Sequence, residues 1–478
     1  METVIELRNV IARNPSLRLK TPVTLTVNKG EQIAIMGPNG SGKTLLTNII
    51  SGNCAIDPSC EEGGDIQIKT LIRTIAFRDS YGNADATWCY MQRWNMTEID
   101  DSPEVRTIFP NVTDRDWFDR LFSLFQLERI WDKKLVSLSS GEMRKYQLAK
   151  ALASRPGMLI IDSPYIGLDK ESRESLVRLF AELAESGLHI VTVVSRDIDI
   201  APFVTHVIRM DNLEYVGKYT VQEYFNGNAD NTDPSAGVLS EEKVSLMKSL
   251  PAIQSDSDEI VNCKGITLNY GTRSLFNGLQ WVVRRGEHWA LLGQNGAGKS
   301  ALLSLVYADN PQAYACNIAL FGKDRGSGES IWDIKKNIGY VSPEMHRSYV
   351  RHYPAIDIVA SGLHDTIGLY RKINDQERAI CSNWMHIFGI TELAQSDFAN
   401  LSSGQQRLIL LARAFVKNPS LIILDEPLHG LDTANRQLAI NIIRAFCSQP
   451  EKTMIMVTHY PEELPECIDH IQTLTRSE

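Results

Sequence analysis

Gly37, Pro38, Asn39, Gly40, Ser41, Gly42, Lys43 and Thr44 form one run, and 256 residues later it returns as Gly293, Gln294, Asn295, Gly296, Ala297, Gly298, Lys299 and Ser300. Both fit the pattern G-x-x-x-x-G-K-[S/T], and those residue types at that spacing do one kind of chemistry. Glycines let backbone N–H groups turn inward around phosphate oxygens, and the following helix points its positive end at them. The lysine reaches the β- and γ-phosphates, and the hydroxyl of Thr44 or Ser300 is placed to hold Mg2+. One such run could be a stray glycine-rich turn. Two of them, each after an apolar run that reads as a strand (Ile33–Met36 and Trp289–Leu292), predict two homologous nucleotide sites.

The repeat continues downstream. Leu138, Ser139, Ser140, Gly141 and Glu142 recur as Leu401, Ser402, Ser403, Gly404 and Gln405, an offset of 263. Met158–Asp162 recurs as Leu421–Asp425 and Gly167–Asp169 as Gly430–Asp432, both at that offset. The chain is therefore a tandem duplication. Strand, phosphate loop, helix, then strands ending in acidic residues describe an α/β fold, a mostly parallel sheet with nucleotide at the strand C-termini. His189–Val194 reads as a buried strand of that sheet, entered from a helix over Glu171–Glu185 with Leu176, Leu179, Phe180 and Leu183 at helical spacing. The stretch before each Leu-Ser-Ser-Gly is more helical and irregular, and reads as an inserted helical subdomain.

Composition sets the boundaries. Copy one takes residues 1–225 and copy two residues 260–478. Between them, residues 226–259 carry seven acidic and two basic side chains and read as a solvated acidic linker, with one short helix over Ser240–Leu250. The 43% hydrophobic and 22% charged composition is that of an ordinary globular protein. A net charge of −9 gives no clear nucleic-acid surface. Apolar runs long enough to span a bilayer are absent, as is a basic-then-apolar leader. The eight cysteines, without a C-x-x-C, read as free thiols of a reducing compartment. The expectation is a cytoplasmic protein, peripheral to the inner face of the plasma membrane if it docks there.

The combination of phosphate loop, Leu-Ser-Ser-Gly-[Glu/Gln] and an apolar strand ending in Asp resembles the ATP-binding cassette (ABC) ATPases along nearly the whole chain. Among tandem cassettes it resembles the ModF-type ATP-binding proteins associated with molybdate transport, through the stretch Phe321–Ser342. The resemblance implies two P-loop ABC ATPase domains, ATP and Mg2+ as ligands, and intramolecular pairing of the two domains. Ser139, Ser140 and Gly141 would then face the nucleotide of copy two, and Ser402, Ser403 and Gly404 that of copy one. It further implies an energy-coupling subunit whose permease helices come from other chains. The aromatic segment Trp88–Trp94 lies where such cassettes dock a permease; packing within the helical subdomain is the other reading. A soluble tandem cassette, regulatory or working on ribosomes or nucleic acid, is the alternative. Such translation factors carry a long basic connector, whereas this one is short and acidic.

The two sites are chemically unequal. In copy two, Asp425 is placed to order the Mg2+ shell and Glu426 to polarise the attacking water. His459, 33 residues after Glu426, matches the family's switch histidine, and Tyr270 its adenine-stacking aromatic. In copy one Asp162 keeps the metal position, but Ser163 stands for the base, Ser195 and Arg196 for Thr-His, and Asn14 for the tyrosine. A serine hydroxyl is no carboxylate base, and arginine stays protonated. Copy one is expected to bind nucleotide with little turnover. The loop glutamine of the family has no plain counterpart; Ser342 and Glu344 are the candidates in copy two.

Overall fold

The computed structural model describes residues 2–15, 18–57, 65–76, 103–109, 114–135, 138, 140–165, 168, 170–228, 237–270, 273–294, 296–343, 345, 349 and 352–475. They form two compact units, one from residues 1–83 and 99–234 and the other including everything from residue 235 on. Asn295, Ser139, Gly167, Asp169, Glu344 and the Trp88–Trp94 segment lie outside the described residues, as do the side chains of Ser140 and Tyr270.

In the first unit β1 (Thr3–Val10), β2 (Val23–Asn28) and β4 (Asp65–Ile68) make a small antiparallel sheet. β3 (Ile33–Met36) leads through the first phosphate loop into α1 (Lys43–Ile50). With β5 (Ile72–Ala76), β6 (Met158–Asp162), β7 (His189–Val194), β8 (His206–Asp211) and β9 (Glu214–Thr220) it builds a six-stranded sheet in the order β5-β6-β7-β3-β8-β9. Only the β8–β9 pair is antiparallel. All six side chains of β7 are buried, because a strand covered on both faces cannot alternate. The helices are α2 (Arg115–Leu124), α3 (Ser140–Leu152), α4 (Lys170–Glu185) and α5 (Val221–Asn228). α4 buries Leu176, Phe180 and Leu183 along one stripe.

The second unit opens with α6 (Glu241–Ser249), then β10 (Glu259–Tyr270), β11 (Arg273–Arg284), β12 (His288–Gly293) and α7 (Lys299–Val306). β13 (Ile318–Leu320), β14 (Lys323–Asp324), α8 (Ile331–Lys335) and β15 (Ile338–Val341) follow. A helical layer of α9 (Ala355–Ser361), α10 (Asp375–Ile387) and α11 (Ser403–Phe415) precedes β16 (Leu421–Asp425), α12 (Thr433–Cys447), β17 (Thr453–Val457) and β18 (His470–Leu474). The main sheet is wholly parallel in the order β15-β16-β17-β12-β18, and β11-β10-β13-β14 form the antiparallel sheet. Trp384, Phe388, Phe415 and Phe446 pack ring against ring where α10, α11 and α12 meet.

Part of the stretch that composition marks as solvated linker is core. Ser240 caps α6 by accepting from Lys243 N, and Met247 and Leu250 are buried in the same cluster as Trp384 and Phe446. Asn418 holds the exit of α6 through Leu250 O and Ile253 N. The charged residues occupy its outer face, so net charge over the segment hides a short apolar stripe.

Candidate nucleotide sites

Strand order brings the chemistry together. β12 ends in the phosphate loop, its neighbour β17 runs into Thr458 and His459, and β16 beyond it ends in Asp425. The C-terminal edge of a parallel sheet is where such folds bind ligands. Gly293 lies so close to β18 that a Cβ there would stand 2.6 Å from Leu474 O; Gly37 is equally confined, 2.2 Å from Met210 O. Gly42 and Gly298 cap α1 and α7 at φ 96, a left-handed turn that aims the helix N–H groups back at the loop. Lys299 Nζ donates to Gly293 O at 2.6 Å and Gln294 O at 3.1 Å, and Lys43 Nζ to Gly37 O at 2.6 Å and Pro38 O at 2.7 Å. Each ammonium is thus held inside its own loop, and Ser300 and Thr44 are second in the helices that follow. That donor set fits Mg-nucleotide: a nest of backbone N–H groups, an ammonium, a hydroxyl and a carboxylate.

Glu426 sits on a strained turn at the end of β16. Its φ is 50, a conformation that costs a non-glycine residue about 1–2 kcal/mol. Its N–H donates to Val457 O at 2.9 Å, which pins it beside β17. The side chain is buried; Oε1 lies 3.4 Å from His459 Nε2 and Oε2 3.0 Å from His429 Nε2. Neither oxygen has an aligned hydrogen bond among the described residues, so a buried carboxylate keeps lone pairs to spare. Burial pushes its carboxyl up, but His429, then His459 and Lys299, outweigh that and leave it lowered overall. It is an anion at neutral pH.

Two residues of this site were not singled out from sequence. Arg407, on α11 five residues after Ser402, is buried and threads under the strand end. Its guanidinium donates to Asp425 O at 2.8 Å, to Glu426 O, and to Pro427 O and Ser342 O at 3.2 Å. Burial pushes it down to about 10. Arg144, at the repeat offset, reaches Pro164 O at 2.8 Å in copy one; recurrence of that arginine was the available signal. The other residue is His429, a polar side chain inside the apolar run before Leu431 and Asp432. The signature helix α11 starts at Ser402, a capping box with Gln405, with Ser403 and Gly404 in its first turn. Asp432 likewise caps α12 through Asn435 N. Ser342 is buried, its Oγ without a partner among the described residues.

Copy one keeps the scaffold and lacks the groups. Ser163 Oγ donates to Asp162 Oδ1 at 2.9 Å, where copy two has a carboxylate between His429 and His459. Ser195 Oγ reaches Asn39 of the phosphate loop at 3.4 Å. Arg196 is paired with Asp199 through Nε at 2.8 Å and Nη2 at 3.0 Å, and Arg173 shares that carboxylate at 2.9 Å. Asn14 is exposed.

Two phosphate loops on parallel sheets, each beside an acidic strand end, define a tandem P-loop nucleotide-binding protein. Both halves match the ABC transporter family, at residues 21–165 and 276–429, and the chain belongs to that family. It is 37% identical over 459 residues to the ABC transporter ATP-binding protein ModF of Escherichia coli, covering 93% of this chain and 91% of the relative. An uncharacterized ABC transporter ATP-binding protein of Schizosaccharomyces pombe is 29% identical, covering 98% and 97%. A crystal structure of the archaeal ribosomal stalk protein aP1 with the ribosome recycling factor aABCE1 matches with a TM-score of 0.55 at 16% identity, covering 97% of this chain and 87% of that one. At that identity the likeness shows the fold.

Proposed function

We propose that the chain is an ATP-hydrolysing, energy-coupling subunit of a membrane importer, with turnover concentrated in copy two. Glu426 is the observation that carries hydrolysis: an anionic, buried carboxylate with unused lone pairs, next to Asp425 and beside His459. Bound Mg-ATP supplies the electrophilic γ-phosphate. Lys299 holds the phosphates, Ser300 and Asp425 hold the metal, Glu426 takes the proton of the attacking water, and His459 steadies the γ-phosphate end. In copy one Lys43, Thr44 and Asp162 hold nucleotide, and Ser163 accounts for slow chemistry there. Pairing of the two domains through Ser139–Gly141 and Ser402–Gly404 is part of this reading. Replacing Glu426 by Gln should keep nucleotide affinity and lower phosphate release by about 10²-fold or more. Parental turnover in that variant would end the assignment.

The importer half of the reading is supported by the 37% identity to an ABC transporter ATP-binding protein along almost the whole chain. Among the described residues no helix is long and apolar enough to cross a membrane; on this reading other chains supply the membrane-spanning part. A molybdate-type solute rests on the ModF likeness alone. Tagged protein purified from detergent-solubilised membranes should bring an integral membrane partner that raises ATP turnover. Recovery wholly on ribosomes after gentle low-salt lysis would overturn transport while leaving hydrolysis intact.

A further inference from the structure

Glu426 has a second histidine neighbour. His429 lies three residues on, and its N–H donates to Glu426 O at 3.3 Å, closing a tight turn. That turn brings the ring back over the side chain it starts from. Nε2 stands 3.0 Å from Oε2 of the carboxylate, closer than His459 Nε2 stands to Oε1, at 3.4 Å. The ring is mostly buried, walled edge-on by Tyr460 with centroids 6.4 Å apart. Its Nδ1 is buried with no hydrogen-bond partner among the described residues. The imidazole is therefore held by the backbone turn and by Tyr460, and its one side-chain polar partner among those residues is Glu426. A buried ring nitrogen without a partner is uncommon and calls for an explanation. Copy one, which has no carboxylate to orient, carries Ile166 at the corresponding sequence position.

We infer that His429 is a positioning residue for ATP hydrolysis, acting through Glu426. Its Nε2 edge, 3.0 Å from Oε2, packs against one carboxylate oxygen and leaves the other facing His459 and the attacking water. A glutamate side chain has several staggered rotamers. Two imidazoles on opposite oxygens select one before water arrives, so the base need not reorganise during proton transfer. The inference rests on Glu426 being the base.

The test uses the full-length protein, steady-state phosphate release over a range of Mg-ATP, and a separate nucleotide-affinity measurement. His429→Ala should lower kcat about tenfold, the lower end of what losing an orienting partner costs at metal sites, with KM and affinity within about twofold. Glutamine can place its amide N–H where Nε2 was, whereas asparagine reaches only as far as Nδ1. His429→Gln should therefore restore most of kcat and His429→Asn should not. Because His429 acts through Glu426, adding His429→Ala to Glu426→Gln should cause no further loss.

Parental kcat in His429→Ala overturns the inference, as does equal rescue by Asn and Gln. A double variant that loses the full extra factor also overturns it, since His429 would then act independently. If His429→Ala does not fold, the Gln and Asn pair decides. Normal turnover in Glu426→Gln alone would instead remove the base assignment on which this stands.

Discussion

Glu426 and Ser163 occupy the same backbone position in the two copies. Their φ angles are 50 and 53, and their N–H groups donate at 2.9 Å to Val457 O and Val193 O on the neighbouring strand. Copy one keeps a left-handed turn that costs stability and no longer presents a carboxylate. A turn of this kind persists when its surroundings over-determine it; Arg144 under the strand end and Val193 beside it do that.

Because the turn is in place, Ser163→Glu requires no new backbone. In the Glu426→Gln background this substitution should raise phosphate release about tenfold, well short of the roughly 10²-fold or more removed with Glu426. The shortfall comes from Arg196, which is tied to Asp199 where copy two offers His459. Adding Arg196→His should recover more. A folded, nucleotide-binding double variant with no gain would show that copy one lacks more than its base.

Arg407 predicts a stability effect. It satisfies four carbonyls at once, those of Ser342, Asp425, Glu426 and Pro427. Methionine fills similar volume but donates nothing; Glu426 O and Ser342 O keep the N–H groups of His429 and Met345, and each oxygen left dry costs about 1–3 kcal/mol. Urea unfolding of Arg407→Met should show the second unit weakened by roughly 3–5 kcal/mol, the usual range for stripping one partner from a buried charged network. Lysine should not rescue it, since one ammonium cannot span the fork. Unchanged unfolding would mean that water replaces the guanidinium.

What could be read beforehand, and what could not, follows from how far a residue's partners lie along the chain. The phosphate loops were legible because glycine spacing reports local backbone angles, and Gly42 and Gly298 share φ 96. The strands ending at Met36, Asp162 and Asp425 were legible because both faces are covered and the runs are continuously apolar. Arg407 was not: on a helix an arginine reads as a surface residue, and its carbonyls come from segments 18 and 65 residues away. His429 lacked any periodic signal, because its meaning lies in one turn folding back on Glu426. α6 was half legible. Its cap and length could be read, but burial of Met247 depends on the distant aromatic cluster around Trp384.

Met247 therefore tests whether α6 belongs to the second unit. Its side chain is fully buried in that unit's core. Met247→Ala should cost about 2–5 kcal/mol of the unit's stability, the range for truncating a buried large side chain. A fragment beginning at residue 260 should unfold at lower urea than one beginning at residue 237, by a similar amount. Equal midpoints would return the segment to the status of linker.

The nucleotide content of the protein after turnover tests the inequality of the two sites most directly. Ser163, Arg196 and Asn14 all depart from the pattern in one copy, while its loop lysine and Asp162 remain. On the proposed reading chemistry is lost there and binding groups are kept, so the first site should hold ATP while the second turns it over. Rapid quench of a slow single-cycle reaction should find one ATP retained per chain and ADP formed at the other site. Lys43→Ala should empty the first site. If retained ATP favours pairing of the two domains, that variant should also lower turnover at Glu426, a coupling between distinct sites. Lys299→Ala should instead abolish turnover directly and leave the retained ATP in place. Equal hydrolysis at both sites, or a first site that stays empty at millimolar Mg-ATP, would show that the departure of Ser163, Arg196 and Asn14 from the pattern has a different meaning.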